Sequence, residues 1–194
     1  KLYIGTSTGF FIYDLNLGKI IFSSNKLNKV TSFLVDNDHL YIGTQQHGIA
    51  ILNLEHINDI ESYVFYTEDS ENGHKIESNR VTTILKDNNE NIWVGTYNGL
   101  ELFDKKEKIF VNQSNLLEEK LPSVIINAIA LKDDYIWLAT PSGLVKLVYK
   151  NEKLEIADTI TQKNGLNNDF ICAITFDDES NLWFSTHTEI VRYN

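Results

Sequence analysis

The histidines and the acidic pairs are the residues of this sequence whose side chains could carry catalytic or metal chemistry. No two histidines show the His-x-x-x-His spacing that places metal ligands on one helix face; the five are His39, His47, His56, His74 and His187. Adjacent carboxylates on a strand or tight turn point apart, so paired acids do not make an acid–base couple here. The pairs are Asp133-Asp134, Asp177-Asp178 and Glu118-Glu119, and they indicate solvated turns. We therefore predict no catalytic residue, no metal site and no cofactor.

Two further features could suggest metal or redox chemistry. The turn Asp87-Asn88-Asn89-Glu90-Asn91 resembles a calcium loop, but it lacks the central glycine and the distal glutamate. Cys172 is the single cysteine, so an intramolecular disulfide and a cysteine-ligated zinc cluster are excluded. It lies in an apolar run, which predicts a small buried side chain.

The composition is that of a globular protein able to bury a core. The 194 residues are 42% apolar, and 27 acidic against 17 basic residues give a net charge of −10. That charge argues against a nucleic-acid partner, whose phosphates need a basic face. No apolar run reaches the roughly 18 residues of a membrane span, so this segment is expected to make no membrane contact. The sequence has no methionine, and we expect residue 1 to begin an excised or processed piece.

A five-residue motif recurs five times and dominates the organisation of the chain. Each copy has the order aliphatic, aromatic, apolar, small, threonine: 2–6, 40–44, 92–96, 136–140 and 182–186. A glycine follows in four copies, whereas Glu189 takes its place in the fifth, so that turn must differ. An apolar segment ending in Asp precedes the motif in the last four copies, as in Val81 to Asp87. Copies at intervals of roughly 40–50 residues are typical of propeller blades.

The repeat predicts an all-β fold of four-stranded antiparallel blades. Within a blade, strand A ends in Asp, strand B carries the motif, strand C follows the glycine and strand D closes the sheet. The chain then holds B-C-D, three whole blades and A-B-C, a partial propeller of about four and a half blades from a longer ring. The predicted boundaries are 1–24, 25–68, 69–114, 115–162 and 163–194. We expect that the segment does not close by itself, and that it pairs with the remaining blades or with a second copy.

The third copy resembles the two-component regulator propeller repeat. The pattern is Asn79-x-Val81-x-x-Ile84-x-x-Asp87-x-x-x-Asn91-Ile92-Trp93-Val94-Gly95-Thr96-x-x-Gly99-Leu100, and 164–168 is similar to the inter-blade loop of that family. The resemblance implies the extracytoplasmic sensor region of a membrane-anchored signalling protein, periplasmic or at the cell surface. A histidine kinase or a cyclic-dinucleotide synthase would then lie elsewhere in the parent protein.

The variable turn between strands B and C is the candidate ligand site. In propellers the B–C turns and D–A loops emerge on one rim, and amides, hydroxyls and an aromatic ring there suit a carbohydrate. The candidate residues are Gln46, His47, Tyr97, Asn98, Ser142, His187 and Thr188. Among them Tyr97 and His187 are the favoured contacts. The recurring Trp93, Trp137 and Trp183 are instead expected to pack between neighbouring blades.

Three functions remain open at this point. The leading hypothesis is a non-catalytic sensor module that binds a ligand or a partner domain. A second is a metal-dependent propeller lyase of the streptogramin-lyase type, with histidines supplied by different blades. A third is a protein-interaction scaffold.

Overall fold

Short antiparallel strands account for nearly all regular structure in the chain. A computed structural model describes residues 1–59, 63–70 and 74–193. The strands are β1 (Leu2–Gly5), β2 (Phe10–Asp14), β3 (Lys19–Ser24), β4 (Val30–Asp36), β5 (His39–Thr44), β6 (Ile49–Asn53), β7 (Val64–Tyr66), β8 (Val81–Lys86), β9 (Ile92–Thr96), β10 (Gly99–Asp104), β11 (Ile109–Asn112), β12 (Ala128–Lys132), β13 (Tyr135–Thr140), β14 (Gly143–Lys150), β15 (Lys153–Ile160), β16 (Ala173–Phe176), β17 (Leu182–Ser185) and β18 (Ile190–Tyr193).

Within the described residues, the strands pair into five sheets in chain order. Three sheets have four strands, β4–β7, β8–β11 and β12–β15, and two have three strands, β1–β3 and β16–β18. Each sheet joins consecutive strands side by side, and the pairings are antiparallel. The prediction of four-stranded antiparallel blades, with B-C-D first and A-B-C last, is therefore confirmed.

The chain divides into two compact units, Lys1–Ile84 and Leu85–Asn194, and the boundary falls within β8. In the first unit, Phe10 and Ile12 of the first sheet share a core with Leu40 and Ile42 of the second. In the second unit one core lies between the third and fourth sheets, and another between the fourth and fifth. The proposed blade boundaries stay a prediction.

The motif strand is the buried centre of its sheet. All five residues of β9 are buried, and so are the last five of β13. A strand covered on both faces needs apolar residues at successive positions, which explains why the motif lacks polar alternation. The strands of the first and last sheets are more open, because β1 and β18 contain no fully buried residue.

The tryptophans of the motif meet the packing expectation to different degrees. Trp93 is completely buried, in a core with Ile129 and Leu138 of the next sheet. Trp137 is 9% exposed, and its ring forms a T-shaped pair with Phe176 at 6.2 Å between centroids. Trp183 lies in the last sheet and is only partly buried.

Helical structure is confined to single turns in the described ranges. The two 3-10 turns are Ser114–Leu116 and Gln162–Asn164. Within the described residues, no helix has the length and apolar character needed to cross a membrane.

Candidate functional site

The threonine that ends each motif fixes the following B–C turn. The hydroxyl of Thr44 donates to the carbonyl of Gly48 at 3.0 Å, and the same bond joins Thr96 to Gly99 at 3.0 Å. In the fourth sheet, Thr140 donates to the carbonyl of Gly143 at 2.8 Å. These three threonines are fully buried. Their hydroxyls also accept a backbone N–H within the turn, so the turn backbone is satisfied locally, as expected for a structural threonine.

The turn glycine is required by both conformation and space. Gly48 has φ +65°, and a Cβ atom there would lie 2.0 Å from the carbonyl oxygen of Tyr66. Glu189, which replaces this glycine in the fifth copy, is absent from the described residues with positive φ. Its carbonyl still accepts the N–H of Thr186 at 2.9 Å. The fifth turn therefore closes around the threonine without left-handed backbone.

A backbone hydrogen bond links this turn to the start of strand A in the next sheet. The N–H of Val30 donates to the carbonyl of Thr6 at 3.2 Å in the first unit. In the second unit, the N–H of Ile171 donates to the carbonyl of Thr140 at 3.0 Å. The residues preceding strand A therefore lie beside the B–C turns, on the rim where the sequence places the candidate site.

In the first unit, the rim brings two predicted residues together with two cations. Gln46 and His47 are exposed, and the His47 Nε2 atom lies 3.1 Å from Asn28 Oδ1. Lys29, Gln45, Gln46 and Arg80 line an open hollow. Neither cation was among the residues predicted from the sequence. The available signal was a basic residue directly before the first valine of strand A in two successive copies, Lys29-Val30 and Arg80-Val81.

In the second unit, the predicted residues lie on the turns of three different sheets. Tyr97 and Ser142 are partly buried, while Asn98 is exposed and its carbonyl accepts a bond from the Asn112 side chain at 2.8 Å. Thr188 is exposed, and its N–H donates to the Thr186 hydroxyl at 3.2 Å. A joint role of these residues in one ligand site stays a prediction.

His187 has the most defined surroundings of the predicted residues. Its ring stacks on Phe170 at 4.3 Å between centroids, with 28° between the planes. Its Nδ1 atom lies 3.8 Å from the sulfur of Cys172. The expectation of a buried Cys172 is wrong, because its side chain faces this exposed histidine and is only partly buried.

The acidic turns between strands A and B are held by their own aspartates. Asp87 Oδ1 accepts the N–H groups of Asn89 and Asn91, while Oδ2 accepts the Trp93 indole N–H at 2.8 Å. The carboxylate that would head a calcium loop is thus occupied in closing the turn and orienting the tryptophan.

The same arrangement recurs in the last sheet. Asp177 accepts bonds from Asn181 and from the Trp183 indole N–H at 2.7 Å. These hydrogen bonds lower the pKa of Asp177 to about 2, with Trp183 the largest cause, because they stabilise the charged carboxylate. Among the described residues, no three His, Cys, Asp or Glu side chains form a metal-binding group.

Residues 75–98 match the family described as the two component regulator propeller. They span β8, the Asp87 turn, β9 and the first rim residues after Thr96. This segment is a two-component regulator propeller repeat. The predicted resemblance is therefore confirmed, and the other copies of the motif share the strand order of this repeat.

A curated relative extends the comparison to the whole chain. Histidine kinase P4 of Formosa agariphila is 29% identical over 208 residues, covering 100% of this chain and 15% of the kinase. The chain thus spans only a small part of the length of that relative.

Two solved structures share the fold of this propeller segment. The extracellular domain of a hybrid two-component system from B. thetaiotaomicron has a TM-score of 0.68 at 18% identity, covering 99% of this chain and 31% of its own. Virginiamycin B lyase from Staphylococcus aureus has a TM-score of 0.63 at 14% identity, covering 97% of this chain and 63% of its own. At such identities both show the fold alone. The lyase hypothesis gains no support for its chemistry.

Proposed function

We propose that the chain is a non-catalytic sensor module of a membrane-anchored two-component signalling protein, located outside the cytoplasm. The observation that carries this proposal is the 29% sequence identity between the chain, over its full length, and part of a histidine kinase. The family repeat at residues 75–98 points to the same class of protein. The extracytoplasmic location is supported by the fold shared with the extracellular domain of a hybrid two-component system.

The rim of B–C turns is the proposed ligand surface, and a carbohydrate is the proposed ligand. The buried threonines satisfy the turn backbone from within, while Gln46, His47 and His187 remain exposed. Amide and imidazole groups both donate and accept hydrogen bonds, and Tyr97 adds an aromatic face for a sugar ring. Groups of these kinds suit a polyhydroxylated ligand in either unit.

The proposed partners are further propeller blades or a second copy of the chain. The first sheet exposes apolar side chains on β1 and β3, and the last sheet exposes Ile190 at 76% and Tyr193 at 41%. Exposed apolar area of this kind favours association, because burying it removes the area from water.

Calorimetric titration of the purified chain with a panel of defined oligosaccharides tests the sensor proposal. We expect at least one oligosaccharide to bind to the chain without being cleaved. The variant Gln46→Ala should bind that oligosaccharide more weakly. Asn16→Ala is the matched control, because Asn16 is an exposed amide in a C–D turn whose backbone N–H bonds Asp14. Failure of the whole panel to bind would contradict the ligand proposal. Cleavage of a bound sugar would contradict the non-catalytic assignment.

A further inference from the structure

A groove in the second unit lies between the last strand of the fourth sheet and the loop that follows the third sheet. Residues 152–156, which lead into β15, form one wall, and residues 116–119 form the other. Leu117 and Ile156, one from each wall, pack against the core between the third and fourth sheets. Both walls of the groove are therefore anchored to the same core.

Four aliphatic side chains line this groove. Leu154 is buried, Leu117 and Ile156 are partly buried, and Leu116 is 65% exposed. A ligand that covers Leu116 would remove this apolar area from water, which favours binding. The groove therefore suits a ligand with apolar groups of its own.

The charged side chains along the groove are mostly acidic. One wall carries Glu118 and Glu119, the other carries Glu152 and Glu155, and Lys153 is the cation among the lining residues. All four glutamates are exposed, and within the described part of the chain none of their carboxylates forms an ion pair or a hydrogen bond. Like charges on facing walls repel, and a cationic ligand relieves that repulsion. A second copy of the chain, with its own net charge of −10, would add to the repulsion at this surface.

A buried amide at the groove has no hydrogen-bond partner for its side chain. Gln113 is 5% exposed and lines the groove. Its backbone N–H donates to the carbonyl of Leu100 and its carbonyl accepts the N–H of Leu116, but no described residue hydrogen-bonds its side-chain amide. Buried amides are normally hydrogen-bonded. Gln113 therefore offers a donor and an acceptor to a peptide group in the groove.

We propose that this groove binds a basic, apolar segment of a separate protein, in which lysine or arginine alternates with aliphatic residues. The aliphatic side chains cover Leu116, the cations pair with the glutamates of both walls, and a backbone amide of the segment bonds Gln113. Exposed glutamates alone would suit any cation, and the apolar side chains beside them specify a peptide. None of the residues lining the groove belongs to a B–C turn, so this proposal does not depend on the carbohydrate proposal.

Fluorescence anisotropy of the 194-residue chain with three labelled heptapeptides tests this proposal. The first peptide alternates lysine with leucine, the second lysine with serine, and the third glutamate with leucine. We expect the lysine–leucine peptide to bind at least about tenfold more tightly than either of the others, because it alone combines positive charge with apolar side chains.

Two variants and a matched control assign that binding to the groove. Glu118→Gln/Glu155→Gln removes one carboxylate from each wall and should weaken binding of the lysine–leucine peptide about fivefold. Glu55→Gln/Asp178→Asn removes the same charge from two exposed acids outside the groove, and it should change the affinity less than about twofold because distant exposed charges are screened.

The second variant, Gln113→Leu, separates a ligand contact from a structural role. It should weaken binding of the lysine–leucine peptide without lowering the melting temperature, because it replaces an unpaired buried amide by an apolar group of similar size. Full affinity in this variant would contradict the contact at Gln113.

The peptide comparison and the charge variant can each overturn the proposal. Equal affinity for the lysine–leucine and lysine–serine peptides would overturn it, because charge alone would then account for binding. Tighter binding of the glutamate–leucine peptide, or no binding of any peptide, would overturn it as well. Unchanged affinity in Glu118→Gln/Glu155→Gln would overturn the assignment to this groove.

Discussion

The carboxylate of Asp177 and the indole of Trp183 are joined by a hydrogen bond of 2.7 Å across the turn between strands A and B. Asp87 and Trp93 repeat it at 2.8 Å in the third sheet. In both turns, the same carboxylate accepts the backbone N–H of the asparagine two residues before the tryptophan. One acidic side chain thus closes the turn and fixes the direction of a large aromatic ring.

Asp177→Asn should lower the thermal stability of the chain at neutral pH. The pKa of Asp177 falls from 3.8 to about 2 on folding, so its stabilisation is fully present above about pH 4 and is lost as the pH falls toward 2. The melting temperatures of wild type and variant should therefore differ at pH 6 and converge near pH 2. Asp178→Asn, at the exposed neighbouring residue, is the control, and its melting temperature should equal that of the wild type at both pH values. Parallel curves for Asp177→Asn and wild type at all pH values would contradict this linkage.

Trp93→Ala should reduce the free energy of unfolding by roughly 3–5 kcal/mol, the usual cost of emptying a large aromatic core site. Trp93 is completely buried, and its ring forms a T-shaped pair with Tyr149 at 5.1 Å between centroids. Denaturant unfolding measures the change. Trp183→Ala should cost less, because Trp183 is partly exposed. A loss below about 1 kcal/mol at Trp93 would contradict its role in the core between the third and fourth sheets.

Gly48→Ala should destabilise the chain by more than the roughly 1–2 kcal/mol of left-handed backbone strain alone. The added methyl would meet the Tyr66 carbonyl oxygen at 2.0 Å. Gly18→Ala is the matched control, because Gly18 has φ +62° and its new Cβ atom would meet only the Tyr13 hydroxyl, at an ordinary 3.8 Å. Chemical denaturation of both variants separates the loss of unfolding free energy due to backbone strain from the loss due to the collision with the Tyr66 carbonyl. Equal losses would show that the turn moves away from Tyr66 at no cost.

The strand order was predictable from sequence because the motif repeats in phase, and five copies fix the same element five times. The Asp87–Trp93 bond was not predicted, although both residues stand in the repeat. A hydrogen bond between side chains six positions apart depends on the conformation of the turn between them, and the residue types alone do not predict that conformation. For the same reason the acidic turn was interpreted as solvated. Lys29 and Arg80 are 51 positions apart in the sequence, and only the fold places them at one hollow.

The isolated chain should associate in solution. Leu2, Ile4, Ile20 and Ile21 are exposed on the first sheet and Ile190 on the last, and apolar area of this kind is removed from water by pairing. Light scattering should give a mass above the 22.3 kDa of one chain. Ile20→Lys/Ile190→Lys should lower that mass. Leu116→Lys, at an exposed residue outside the strands, should leave it unchanged. A monodisperse wild-type monomer would contradict the expectation.

Tyr97→Ala/His187→Ala should weaken binding of an oligosaccharide without lowering the melting temperature. Tyr97 offers a ring for stacking, and His187, held flat on Phe170, can donate and accept hydrogen bonds. Titration calorimetry measures the affinity for the oligosaccharide and a thermal melt measures the stability, so together they distinguish a lost ligand contact from unfolding. Unchanged affinity would remove these two turns from the candidate ligand site.

One link between neighbouring sheets is made by main-chain atoms alone: the N–H groups of Val30, Ile126 and Ile171 donate to the carbonyls of Thr6, Thr96 and Thr140. Side chains of the two or three residues after each threonine take no part in it. The residues after each threonine can therefore differ from blade to blade without loss of these backbone bonds. We expect the turn sequences to be exchangeable between blades. Grafting Tyr97-Asn98 in place of Ser7-Thr8 should transfer a contact surface and leave the unfolding free energy nearly unchanged.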